Sequence, residues 1–304
     1  MKRREFLQTA VKAGFAAGAG LSLGGYGRLF AEEAAPGYDL VAIKNGEPEA
    51  LFDAGIETLG GMPRFVNKGQ TVVVKPNMAW DVPPERAANT NPRLVKRIVE
   101  QCLNAGAKEV YVFDYTCDNW ERSYRHSGIE QAVKEAGGKI APGNSEQYFQ
   151  TVAVPAGKRL KEVKEHELVL EADVFINVPV LKSHGSTTLS VSMKNLMGAV
   201  WDRWYWHRND LHQCIADFAT YRKPNLNVVD AYNVMMRNGP RGVSDKDVAL
   251  MKTQLIAANM VTADAAAAKL FGIEPDAVEY IKIAHAMGAG RKDLENLAIK
   301  RIKL

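Results

Sequence analysis

Short runs of β-branched and apolar residues recur between segments of helical pattern. This alternation constrains the fold more than any other feature of the chain. Thr71–Lys75 reads T-V-V-V-K, Lys108–Asp114 reads K-E-V-Y-V-F-D, Val174–Val178 reads V-F-I-N-V and Leu226–Asp230 reads L-N-V-V-D. Apolar runs of this length suit strands covered on both faces. The helical segment Pro48–Leu59 opens on Pro and stops at Gly60-Gly61, and Pro92–Ala105 is capped by Asn91 and stopped by Gly106. Ser127–Ala136 ends at Gly137-Gly138. Strands alternating with such helices imply parallel pairing through right-handed crossovers. Further strands are expected at Tyr38–Ile43, Thr187–Met193, Gln254–Ala258 and Leu297–Ile302, and helices at Asn209–Tyr221, Ala263–Phe271 and Pro275–Met287. Thr151–Lys164 alternates about Ala156-Gly157 and reads as an inserted β-hairpin. The expected fold is α/β, a mostly parallel sheet with helices on both faces, forming a single domain over residues 38–304.

The first 31 residues are of another kind. They read K-R-R-E-F-L and then an uncharged, Gly- and Ala-rich stretch from Ala13 to Gly27. The stretch is too short for a membrane span, and the twin arginine matches an export leader, with Leu29-Phe30-Ala31 as the cleavage region. The expected location is therefore periplasmic or exported, with the twin-arginine machinery as a partner. This leader also carries the charge. The whole chain is +4, with 39 basic and 35 acidic residues. Residues 1–31 contribute Lys2, Arg3, Arg4, Lys12 and Arg28 against Glu5, so the remainder balances and no nucleic-acid partner is expected. Twin-arginine substrates cross folded, which favours a cofactor loaded beforehand. Its identity is unknown. With only Cys102, Cys117 and Cys214, no iron–sulfur cluster is expected from this chain alone. Cys102 falls on the apolar face of a helix, and Cys117 with Cys214 is a candidate disulfide.

In open parallel sheets, ligands sit beyond the carboxyl ends of the strands. Polar residues gather there repeatedly: Lys75-Pro76-Asn77, Asp114, Lys182-Ser183-His184, Lys194-Asn195 and Asp230. Three lysines with asparagines suit a small anionic ligand, and Thr90 and Asn91 add donors at a helix start. His184 reads either as a proton-transfer group or metal ligand, or as a loop histidine bonded to backbone. His207 and His212 are the other candidate metal ligands, although no metalloprotease spacing is present. Asp264 reads as first-turn charge in a helix capped by Thr262. Trp201, Trp204, Tyr205 and Trp206 form an aromatic patch suited to a lid, an interface or packing. The Gly239-Pro240-Arg241-Gly242 loop either admits a ligand to its backbone or merely turns.

These motifs come in a recognisable order: K-P-N at Lys75, T-N-P at Thr90, G-A-K-E-V at Gly106, N-V-P-V-L-K-S-H at Asn177 and S-M-K-N-L-M-G at Ser192. They continue with N-V-V-D at Asp230, G-P-R-G at Gly239 and T-A-D-A-A-A-A-K-L-F-G at Thr262. Over residues 38–290 the chain resembles the domain of unknown function 362 family. The resemblance implies that Lys75, Asn77, Lys182, His184, Lys194 and Asn195 are motif positions, without assigning them chemistry. Relatives often add cysteine clusters, which this sequence lacks.

Two functional expectations follow. In the first, His184 and Lys182 are catalytic, and Lys75, Asn77, Thr90, Asn91, Lys194, Asn195 and Asp230 bind an anionic substrate or cofactor for redox or proton-transfer chemistry. In the second, the same rim belongs to a non-catalytic periplasmic accessory module serving a redox partner protein.

Overall fold

The computed structural model describes residues 37–304; the export leader expected at residues 1–31 lies outside the described residues. Strands in chain order are β1 (Leu40–Lys44), β2 (Thr71–Pro76), β3 (Glu109–Val112), β4 (Lys139–Ile140), β5 (Phe149–Ala153), β6 (Glu162–His166), β7 (Val174–Val178), β8 (Val180–His184), β9 (Thr188–Ser190), β10 (Leu226–Met235), β11 (Val248–Ala257) and β12 (Ile299–Lys303). The helices are α1 (Pro48–Thr58), α2 (Pro92–Asn104), α3 (Trp120–His126), α4 (Ile129–Glu135), α5 (Glu167–Glu171), α6 (Ser192–Asn195), α7 (Arg203–Arg208), α8 (Leu211–Tyr221), α9 (Met260–Phe271) and α10 (Glu279–Ala286).

The main sheet runs β12-β1-β11-β10-β7-β2-β3-β4. Only β11 opposes its neighbours along this path; every other pairing is parallel. The fold is α/β as the alternation requires, and β5 with β6 forms the expected separate antiparallel hairpin. Successive residues of a strand face opposite ways. Val72 and Val74 accordingly join one apolar layer with Val174 and Ile176, while Val73 and Phe175 join the other. Helices α1, α2 and α4 cover the first face, and α8, α9 and α10 the second. Leu94, Val95, Ile98, Val99 and Cys102 of α2 are fully buried, each aliphatic side chain contributing roughly 1.5–3 kcal/mol. Asn91 caps α2, its side chain accepting from Arg93 N.

Three local readings need correction. Lys182–His184 is not a loop. After Pro179 the chain resumes as β8, leaving β2 and following β10, with Val180 opposite Asp230 and Lys182 opposite Met235. The strand expected at Thr187–Met193 ends at Ser190, and α6 begins two residues later. The cause is distant in sequence: Asp264 accepts from Ser192 N at 2.7 Å and Met193 N at 3.0 Å. These bonds hold two amides of the first helical turn, which a strand could not offer together. Asp264 therefore stabilises α6, while its own helix is capped by Asn259 rather than Thr262. Finally, β10 and β11 are twice the expected length and form a long antiparallel ribbon.

Candidate functional site

The chain leaves β2 through α2 towards β3, on one side of the sheet. From β7 it leaves by way of β8, β9, α6, α7 and α8 towards β10, on the other side. The two crossovers cover opposite faces, so the neighbours β2 and β7 mark the point where strand order reverses. At such a point a crevice opens beyond the carboxyl ends. Here it is a cavity of about 530 Å³, lined at its base by Lys75, Asn77, Asp114, Lys182, Lys194 and Asn195. Its walls include His184, Arg203, His207, Trp80, Trp204 and Cys117. Six expected site residues thus meet: Lys75, Asn77, Lys182, His184, Lys194 and Asn195.

Lys75 follows Val73 onto the face covered by α6. Its buried Nζ donates to Pro76 O at 2.8 Å and Asn195 Oδ1 at 3.3 Å and pairs with Asp114 Oδ1 at 2.7 Å. Two ammonium donors are thereby taken in hydrogen bonds, and the third close oxygen is that of the ion pair. Asp114 is held in turn, its Oδ2 accepting from Met78 N. Burial pushes Lys75 down and Asp114 up, and the attraction between the two charges at 2.7 Å opposes both shifts. Lys75 therefore anchors the base of the cavity instead of presenting a free charge.

The asparagines form a continuous amide chain. Asn77 Nδ2 donates to Asn195 Oδ1 at 3.1 Å, Asn195 Nδ2 to Asn177 Oδ1 at 2.8 Å, and Asn177 Nδ2 to Asn227 Oδ1 at 3.0 Å. Each link fixes the orientation of the next amide, so Asn77 and Asn195 are locked from below.

Lys182 and Lys194 are different. Lys182 Nζ donates to Ala88 O and, at 3.3 Å, to Asn77 Oδ1. Among the described residues Lys194 Nζ reaches only the Met197 sulfur, at 3.5 Å. Among the described residues neither forms an ion pair with a carboxylate, although both are buried, 1% and 9% exposed. Burial without a counter-charge disfavours the ammonium form. It pushes Lys182 down to about 7 and Lys194 to about 8. Arg203 adds a third cation. It donates to Tyr115 O at 2.7 Å and to Thr116 O, with its guanidinium 4.1 Å from the Tyr115 ring centroid.

Burial, then the charges of Lys194 and Lys182, pushes His184 down to about 2. It is a neutral imidazole at ordinary pH. Its Nδ1 accepts from Ser186 N at 3.1 Å, which leaves the proton on Nε2 as a donor. Lys182 is consequently the better-matched proton carrier near neutral pH.

Three expected ligand contacts stand outside the cavity lining. Thr90 Oγ1 donates to Val178 O and accepts from Asn77 N. Asn91 caps α2, and Asp230 accepts from Asn91 N and Tyr232 N. Their polar groups fasten the loop to the sheet. His212 also lies off the lining, and among the described residues no three His, Cys, Asp or Glu side chains gather as a metal-binding group. Cys117 and Cys214 are both free: Cys117 is exposed at the cavity, and Cys214 is buried and donates to Asn209 O. The aromatic patch divides. Trp206 is core, Trp201 stacks on Tyr115, and Trp204 stays 65% exposed at the mouth. Pro240 of the Gly239 loop reaches the lining, where a Cβ on Gly239 would lie 1.9 Å from Ser183 O. Arg203 had no signal in the sequence, because α7 is held by tertiary contacts rather than by pattern.

Fold and cavity together define an α/β protein with a cationic crevice where its strand order reverses. The chain belongs to the family described as Domain of unknown function (DUF362), whose model matches residues 72–269. It is 28% identical over 213 residues to the thylakoid-associated protein sll1697 of Synechocystis, a match covering 64% of this chain and 62% of that relative. The chain thus spans about three fifths of that curated protein. Among solved structures, the lactate racemase apoprotein of Thermoanaerobacterium thermosaccharolyticum aligns with TM-score 0.49 and 12% identity, covering 76% of this chain and 56% of that one. A Thermotoga maritima protein aligns with TM-score 0.46 and 13% identity, covering 75% and 60%.

Proposed function

We propose that residues 38–304 form a single α/β unit that binds a small anionic substrate or cofactor in the crevice and transfers a proton to or from it. The observation that carries this reading is the pair Lys182 and Lys194, two buried amines facing one cavity, neither of them ion-paired with a carboxylate among the described residues. Removing an unpaired ammonium from water costs several kcal/mol. An arriving anion offsets that cost and raises both pKa values, so binding couples to proton uptake. Asn77 and Asn195 orient the ligand, His184 donates from Nε2, and Lys182 moves the proton.

The chain is exported by the twin-arginine route, on this reading, and reaches the periplasm folded around its ligand. A second reading has one observation behind it. Trp204 is largely exposed at the cavity mouth, with the 41% exposed Tyr205 beside it, which suits an accessory module docking on a redox partner protein.

Calorimetric titration with sulfate, inorganic phosphate and acetate tests the first reading. Wild type is expected to bind with proton uptake, and Lys182→Met and Lys194→Met each to weaken binding. Equal affinity in folded variants would remove the crevice from the anion site.

A further inference from the structure

We propose that Lys194 is a covalent attachment site, its amine condensing with the carbonyl group of a small 2-oxo acid held in the crevice. The inference rests on the anion-binding reading above and adds the chemical class of the ligand.

The three lysines of the cavity differ in what surrounds each nitrogen. Lys75 has three oxygen acceptors and Lys182 has two, so a covalent bond at either would break an internal network. Among the described residues Lys194 has none, and its one partner there is a thioether at 3.5 Å. Its position is nonetheless fixed, because α6 is fastened by Asp264 at its start and by Asn195, which bonds Asn77 and Asn177. An amine without an oxygen acceptor, on a rigid support and inside a cavity open to ligand, is the arrangement that nucleophilic amine catalysis uses once the nitrogen is unprotonated. Burial lowers the proton affinity of this amine and keeps a share of it neutral near neutral pH.

The neighbours specify the rest of the ligand. Lys182 and Arg203 are cations on the same lining, suited to a carboxylate, and His184 offers a neutral donor to a carbonyl oxygen. The smallest molecule with a carboxylate beside a carbonyl is a 2-oxo acid. The Nζ lone pair attacks the carbonyl carbon, and the C–O double bond becomes a hydroxyl by taking a proton from the Lys182 ammonium on the same lining; that hydroxyl leaves as water with one of the two protons of the nitrogen, and the other proton stays on the iminium. One C=N bond forms, one water is released, and no oxidant is needed. The iminium so formed withdraws electrons from the adjacent carbon, which makes its proton removable.

The test is reductive trapping. Full-length protein is incubated with pyruvate and sodium cyanoborohydride, then digested and mapped by mass spectrometry. The expected result is one reduced pyruvate-derived group on the Lys194 peptide, lost in Lys194→Arg and diminished when acetone, which lacks the carboxylate, replaces pyruvate. Label spread over surface lysines, or unchanged in Lys194→Arg, would overturn the proposal. The map of wild type decides the site even if the variant fails to fold. Calorimetry with pyruvate separates the two readings. Binding without a trapped adduct removes the covalent site and leaves the anion site; no binding of pyruvate while sulfate still binds removes the 2-oxo acid alone, and no binding of either removes both readings.

Discussion

Lys75 Nζ and Asp114 Oδ1 lie 2.7 Å apart at the base of the crevice, both buried. Gly198 is pressed against the pair: a Cβ there would fall 1.8 Å from Asp114 Oδ1 and 2.8 Å from Lys75 Nζ. Gly198→Ala is therefore expected to part the ion pair and lower stability by about 1–3 kcal/mol. The urea midpoint measures this, and an unshifted midpoint would contradict the packing described.

Asp264 fixes the start of α6 from another helix. Asp264→Asn keeps the size but turns one acceptor into a donor aimed at a backbone N–H. A loss of about 1–3 kcal/mol is expected, with weaker sulfate binding because Lys194 and Asn195 ride on α6. Stability loss with unchanged sulfate affinity would show that α6 holds its place without this carboxylate.

Stability is expected to vary with pH in an unusual sense. Burial raises Asp230 to about 6 and Asp264 to about 7, from 3.8. At these two carboxyls the folded state binds more protons than the unfolded chain, and their contribution to stability falls as pH climbs from 3.8 through 7; His184, lowered from 6.5 to about 2, offsets part of this fall below 6.5. Lys182 and Lys194 are lowered to about 7 and about 8, from 10.5. There the unfolded chain binds more protons, and stability rises from about 7 to 10.5. Together these groups place a minimum near neutral pH, which denaturation at about pH 5.5, about 7 and about 9 resolves. Lys182→Met is expected to flatten the alkaline limb, and sulfate to fill the minimum.

Anion affinity follows the same amines. Sulfate binding is expected to weaken as pH rises above about 8, by up to tenfold for each pH unit over which one proton must be taken up. A flat profile in calorimetry would mean that neither lysine titrates with binding.

Asn91→Ala provides a contrast, since its side chain caps α2 away from the crevice. It is expected to cost about 1 kcal/mol and leave sulfate affinity unchanged. A large affinity loss would return Asn91 to the binding site.

Much of this was legible in the order of residues. The runs at Thr71 and Val174 gave the buried parallel strands, because strands covered on both faces need no polar alternation. Residues at the ends of those strands converge by topology, so Lys75, Asn77, Lys182 and His184 could be placed near one another without contacts being known. What sequence could not supply was the state of each charge. Three lysines look alike in sequence, yet one is paired with Asp114 and one has, among the described residues, a sulfur as its one partner. Those differences come from partners as far as 120 positions away. The helix bearing Lys194 was misread as strand for the same reason, since its cap comes from Asp264, 72 residues later.

The parting of β8 from β2 after Pro179 has a lasting effect. The strands on either side of it are held by main-chain pairing, β2 to β7 and β8 to β10, so the separation of these strands belongs to the fold. Descendants of such a frame can exchange the amines and rings around the gap, and hence the guest it admits, while the aperture itself stays constant.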